Sequence, residues 1–123
     1  LYASADDSRP WQADCALMSW TITAYLNTQR AWSRRTFGPG RRTLGITRHI
    51  ERELAEIRAN HDDLTEWIDV IILALDGYWR HGGQPAQIAT ALSQKQVLNQ
   101  RRRWPDPQPE DQPTEHLRED KRA

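Results

Sequence analysis

The sequence predicts an all-α protein, and three observations predict it. Ile46, Ile50, Leu54 and Ile57 recur at spacings of four, four and three, which is the period of one helix face. Glycine and proline cluster at 36–40, at 82–85 and beyond Pro105, where they punctuate long apolar-periodic stretches. The β-branched alternation between close turns that strands require is nearly absent.

Four helices are expected. The first is placed at residues 11–33, where Ala16, Leu17, Trp20, Ile22, Ala24, Tyr25 and Leu26 follow no strand period. The segment Thr36-Phe37-Gly38-Pro39-Gly40 ends it, since neither Gly nor Pro continues a helix cheaply. The second covers 43–59. Asn60 or Asp62 is the expected N-cap for a third over 63–80, its side-chain oxygen accepting from a free backbone N–H. The middle of that third helix, from Trp67 to Leu75, is apolar nearly all round, the pattern of a helix buried among others. Gly82-Gly83 closes it. The fourth opens at Pro85, a residue favoured at the first helical position, and runs through Ile88, Leu92 and Val97 to about residue 103. Residues 1–104 therefore form the helical domain. Residues 105–123 form a Pro-rich, charged tail with a short helical turn expected near Glu115.

Length and composition narrow the function classes. A chain of 123 residues fits one domain. A domain of this size buries only about two-thirds of its unfolded surface, so association with further copies would help stability. Lys+Arg and Asp+Glu number 17 each, which argues against a general nucleic-acid coat. The one cysteine, Cys15, excludes a disulfide within the chain and a Cys-based zinc site, and it points to a reducing cytoplasm. No run of about 18 apolar residues is present, so no membrane span is expected. Residues 1–10 carry Asp6 and Asp7 and lack the apolar centre of a signal peptide.

The chemistry lies in two acidic pairs. Glu53 and Glu56 are three apart on the second helix, and Glu66 and Asp69 are three apart on the third. Residues so spaced share a helix side and can reach one point. Glu53 falls between Ile50 and Ile57 and so points partly to the core, while Asp69 is embedded in an apolar run. A carboxylate in such a place needs a partner, because an unpaired buried charge costs several kcal/mol. Arg48, Arg52 and Arg58 are expected to face solvent and do not supply it. Two antiparallel helices joined by a short turn would gather all four carboxylates, and an all-oxygen set without Cys suits Mg²⁺ or Mn²⁺. A lone Glu-x-x-Glu is usually a solvated face; the second pair on an apolar helix is what raises this one. A di-iron bundle would need Glu-x-x-His on two helices, and His49 instead sits four before Glu53.

With these residues in view, a resemblance can be named. Glu53-x-x-Glu56, nine residues, then Glu66-x-x-Asp69 resembles the metal-binding signature of the all-α nucleotide pyrophosphohydrolases, the MazG superfamily. Arg52 stands where that family's usual first motif has a further Glu. The chain most resembles the phage-rich dATP/dGTP pyrophosphohydrolase branch. The carrying motifs are Trp32-Ser33-x-x-Thr36-Phe37-Gly38-Pro39-Gly40-x-Arg42-Thr43-x-Gly45, His49-Ile50-x-x-Glu53-Leu54-x-Glu56-Ile57, Asp63-Leu64-x-Glu66-Trp67-Ile68-Asp69 and Leu75-Asp76-Gly77-x-Trp79-Arg80. Lys95-Gln96-x-x-Asn99-x-x-Arg102-x-Trp104-Pro105-Asp106 and Glu115-His116-x-Arg118 follow in order. The likeness covers about residues 29–118.

The resemblance implies a four-helix bundle completed by oligomerisation, as a homotetramer or failing that a dimer. It implies hydrolysis of a purine deoxynucleoside triphosphate to monophosphate and pyrophosphate. Compact phage members of the branch imply dGTP or GTP as substrate, feeding synthesis of 2-aminoadenine DNA. Glu53, Glu56, Glu66 and Asp69 would hold two or three divalent ions and carry the catalysis. Lys95 and Arg102, seven apart on one helix stripe, would contact phosphate, with Asn99 between them on phosphate or sugar. Trp32 would stack on the purine and Ser33 would read its edge. His49 and Asp76 would support the ligands from behind, Asp76 with a cation of the fourth helix. Arg101-Arg102-Arg103 reads as a partner for the helix C-terminal dipole. Two other classes remain. A triphosphohydrolase of the HD type would need its His-Asp pair inside a helix, whereas His61-Asp62 falls in a turn. A non-enzymatic helical module would bind a partner or DNA, with steep salt dependence.

Overall fold

The computed structural model describes residues 20–118. Among the described residues it is all helical, with four α-helices and no strand. These are α1 (Ile22–Phe37), α2 (Thr43–Ala59), α3 (Leu64–Arg80) and α4 (Ile88–Arg101), with a 3₁₀ turn at Pro85–Gln87 leading into the last. Among the described residues no helix is long and apolar enough to cross a membrane.

The first helix begins later than expected. Thr21 is extended and its hydroxyl oxygen accepts from the Ala24 N–H at 3.0 Å, an N-cap that fixes the start at Ile22. The part expected over 11–19 lies outside the described residues. α1 also runs past Ser33 to Phe37, until Gly38 takes φ 86°, where a side chain would be strained. The cap of α3 is Asp63, whose carboxylate accepts from the Thr65 N–H at 3.1 Å; Asn60 instead closes α2, donating to the Glu56 carbonyl at 2.9 Å. Proline keeps its place at the fourth element, but its first turn is 3₁₀ and α4 proper starts at Ile88.

The chain divides into two compact units, one through Ile88 and one from Ala89 onward. In the first, α2 and α3 form an antiparallel pair joined by the turn that contains His61 and Asp62. At the opposite end of that pair the Thr43 hydroxyl lies 2.7 Å from His81 Nε2. Leu26 of α1, Leu75 and Trp79 of α3 and Ile88 form the core, flanked by Ile22, Tyr25 and Tyr78. α3 is not buried all round as its composition predicts. Leu64, Trp67, Ile68 and Ile71 are about half exposed or more. Among the described residues of this unit, only the α3 face toward α1 and α2 is covered.

In the second unit the tail folds back along the end of α4. The Trp104 indole N–H donates to the Asn99 carbonyl at 2.7 Å, and the Leu117 N–H donates to the Arg103 carbonyl at 2.7 Å. The Trp104 and His116 rings meet edge to face at 5.9 Å. The helical turn expected near Glu115 is absent; the tail turns instead at Pro109, whose carbonyl accepts from the Gln112 N–H. Prolines 105, 107, 109 and 113 remove the donors that a helix here would need.

Candidate functional site

The α2–α3 hairpin brings Glu53, Glu56 and Glu66 together. One carboxylate oxygen of each lies within 4.8 Å of the other two. Glu53 and Glu56 reach the point from successive turns of α2, and Glu66 reaches it from the first turn of α3, where the helix dipole favours negative charge. Glu53 is buried between Ile46 and Ile57 on the α2 core face, Glu66 is half-buried and Glu56 is exposed. Arg48, Arg52 and Arg58 are exposed, as their helix positions predict.

Among the described residues no Lys or Arg pairs with this cluster, and only His49 reaches it. Glu53 Oε2 and Glu66 Oε2 are buried and have no hydrogen-bond partner. Three ionised carboxylates offer acceptors only, so none can satisfy another. A single proton eases this. Hydrogen bonding to Glu53, then to Glu56, pushes the Glu66 carboxyl up to about 8, helped by desolvation and by the two neighbouring charges. The same shared bond from Glu66 holds Glu53 below the ordinary carboxylate range, against desolvation and with help from Glu56 and His49. His49 Nε2 lies 3.1 Å from Glu53 Oε1, one turn back on α2, and orients that carboxylate. A compact all-oxygen donor set with two unsatisfied buried oxygens fits a hard divalent cation.

Asp69 is not among the three. It is exposed one turn along α3, and three residues set its Cβ about 60° round the axis from that of Glu66.

A second carboxylate centre occupies the other end of α3. The Asp76 side chain accepts from the Ser33 hydroxyl at 2.7 Å, the Trp79 indole at 3.0 Å and Arg80 Nε at 3.1 Å. The Arg80 side chain has 0% exposure. It donates further to the carbonyls of Gly38 and Gly40, at 3.0 and 2.9 Å, and to the Ser33 hydroxyl oxygen at 2.9 Å. One guanidinium thereby ties the α1–α2 loop to α3, and lies 4.5 Å from the Trp79 ring centroid. Two expectations change here. Asp76 takes its cation from its own helix, not from the fourth. Ser33 is 1% exposed and its hydroxyl is held by Asp76 and Arg80, so within this chain it presents no edge to a purine. Arg80 received no role from sequence, although an Asp76/Arg80 pair four apart at the end of an apolar helix is the signal for such a lock.

Trp32 is half exposed beside this centre, its ring packed edge to face on Phe37 at 5.4 Å. Lys95, Asn99 and Arg102 all belong to the second unit. Lys95 is exposed on α4, and the Asn99 side-chain oxygen accepts from Arg102 at 3.0 Å, which fixes that guanidinium.

The helix pair gathers carboxylates from two helices on an all-α scaffold, with no other acid cluster of that kind among the described residues, and this defines an α-helical protein with a candidate divalent-cation centre. A family model described as dATP/dGTP pyrophosphohydrolase matches residues 25–123, and the chain belongs to that family. It is an enzyme, a nucleoside triphosphate pyrophosphohydrolase. Neither the comparison with curated proteins nor that with solved structures finds a match.

Proposed function

We propose that the protein uses Mg²⁺ or Mn²⁺ to hydrolyse a purine nucleoside triphosphate, with dGTP and GTP preferred to dATP. Water adds across the bridge between the α- and β-phosphates. The products are the monophosphate and pyrophosphate, with a proton released. The observation that carries this reading is the Glu53, Glu56, Glu66 cluster, with two buried oxygens unpartnered. Glu53, Glu56 and Glu66 hold two or three ions, and Asp69 joins them from the next turn of α3. The chemistry those ions supply when bound is charge neutralisation on the triphosphate and a lowered pKa for water. Glu66 would need to be ionised to hold a cation, and His49 keeps Glu53 aimed at the cluster.

Lys95 and Arg102 stabilise the charge that builds on phosphate oxygens, with Asn99 holding the Arg102 fork. Trp32 stacks on the purine. Ser33 supports it from behind through Asp76 and Arg80 rather than by touching the base. The exposed apolar residues of α3 flank Glu66 and support a homotetramer, or failing that a dimer, in which a second copy covers them. Resemblance to the compact phage enzyme MazZ supports a role in supplying dGMP for 2-aminoadenine DNA, in the cytoplasm of a bacterial host.

The test is a panel of the common dNTPs and NTPs with each metal, the products resolved by ion exchange. The expected result is dGMP plus pyrophosphate from dGTP, lost in Glu53→Gln and in the presence of a chelator. Release of intact triphosphate would instead make it a triphosphohydrolase. If no nucleotide turns over with either metal, the helical partner- or DNA-binding module takes its place.

A further inference from the structure

The second unit holds a pocket of about 810 Å³ between the end of α4 and the returning tail. Arg101, Arg102 and Arg103 line it from the helix end and His116 and Arg118 from the tail, and Leu98 and Leu117 are its apolar lining. Among the described residues no acidic side chain lines it. Among the described residues none of these arginines is in an ion pair. Gathering like charges at this range is unfavourable unless an anion neutralises them.

The helix end could by itself explain cations, since its carbonyls are partly negative. Here two of those carbonyls are already occupied. That of Leu98 accepts from the Arg102 N–H, and that of Asn99 from the Arg102 N–H and the Trp104 indole. Arg118 and His116 moreover come from the tail, where no helix dipole requires them. The tail is held in place by the Leu117–Arg103 backbone bond and the Trp104–His116 ring contact, so arginines from both sides line one cavity.

We propose that this pocket binds a diphosphate group, either as free pyrophosphate or as part of a nucleotide. Guanidinium forks match phosphate oxygens two at a time. The volume lies in the range of small-ligand sites, and the leucine lining suits a sugar or base beyond the phosphates. A nucleic-acid duplex fits less well. The cations line a concavity rather than a stripe, and Asp106, Glu110, Asp111 and Glu115 stand exposed in the same tail. The site shares only Arg102 with the hydrolytic reading above and does not depend on metal.

The experiment is calorimetric titration of the full chain in EDTA, with inorganic pyrophosphate in one arm and α,β-methylene-dATP in the other. Both ligands resist hydrolysis there, so the result is independent of turnover. Binding is expected in at least one arm and should weaken about tenfold or more in the Arg103→Gln/Arg118→Gln double variant. Both side chains are exposed, so the fold should tolerate the change. Glu66→Gln, which disables the metal cluster, should leave this binding as it is. A nucleotide bound at least tenfold tighter than pyrophosphate identifies the nucleotide as the ligand, and comparable affinities identify the product. Absence of binding in both arms, binding indifferent to the double variant, or displacement by a DNA oligonucleotide at lower concentration than pyrophosphate would each overturn the proposal.

Discussion

The two ends of α3 solve the same physical problem in opposite ways. Each places carboxylate against the interior of the first unit, one side chain at one end and three at the other. At the C-terminal end Asp76 is fully served: three donors reach it, one of them a buried guanidinium. At the N-terminal end Glu53, Glu56 and Glu66 crowd together with only His49 nearby, and two oxygens go unserved. A buried polar group is tolerated when it is bonded and costly when it is not. The first arrangement is finished within the chain and therefore reads as structure. The second asks for a cation from outside and therefore reads as function.

The contrast can be broken most sharply at Arg80. Arg80→Met removes the buried cation, strands Asp76 and releases the Gly38 and Gly40 carbonyls. It should destabilise the fold by about 3–5 kcal/mol, read by urea or thermal unfolding. A loss under about 1 kcal/mol would mean that water replaces the guanidinium and that the two centres differ less than their bonding suggests.

The opposite outcome is expected at Glu66. Glu66→Gln supplies an amide donor to the crowded oxygens, so the metal-free protein should be at least as stable as wild type. Turnover should fall by more than the about 10–100-fold typical of losing an outer partner of a metal ligand. If stability and activity fall together, the cluster is a structural one after all.

His49→Ala should be milder. Loss of the residue that orients Glu53 should weaken Mn²⁺ binding about 10–100-fold with little change in melting temperature. Unchanged Mn²⁺ affinity would show that the histidine is a bystander.

The last expected effect is on pH dependence. Folded Glu66 keeps its proton up to about pH 8, whereas the unfolded chain releases it near the ordinary 4.5. The folded state thus holds the extra proton between those values, and metal-free stability should decline as pH rises through that window. Glu53 acts in the other direction, since its lowered value adds stability that is lost only on stronger acidification. A saturating divalent cation must displace the Glu66 proton. Cation affinity should therefore rise with pH up to about 8, by at most about tenfold per unit, and then level off. Titration of melting temperature against pH, with and without Mg²⁺, reads both slopes. A flat metal-free profile would remove the shared proton from the account.

Much of this was legible in advance where it depended on spacing along one helix. The Ile46–Ile57 period places α2, the spacing of three places Glu53 beside Glu56, and the position of Glu53 between isoleucines turns it toward the core. The acidic pair on α3 was read correctly for Glu66 as a cluster member, while Asp69 turned out to lie exposed beyond it. Trp32 and Ser33 are neighbours in sequence, yet one faces solvent and the other is sealed, a split that adjacent helical positions make easily.

Local periodicity, turn chemistry and charge count, all properties of nearest neighbours, were enough to determine an all-α chain with a carboxylate hairpin and a broken α1–α2 connection. Tertiary structure alone decided which helix faces met. It joined Ser33 to Asp76 across 43 positions and let Arg80 hold a loop some 40 residues away. It left the Glu53 and Glu66 oxygens without donors and turned the tail back over α4. The physical reason is that a helix fixes the directions of its side chains by itself, but burial, and with it the need for a partner, exists only once another surface has closed over them.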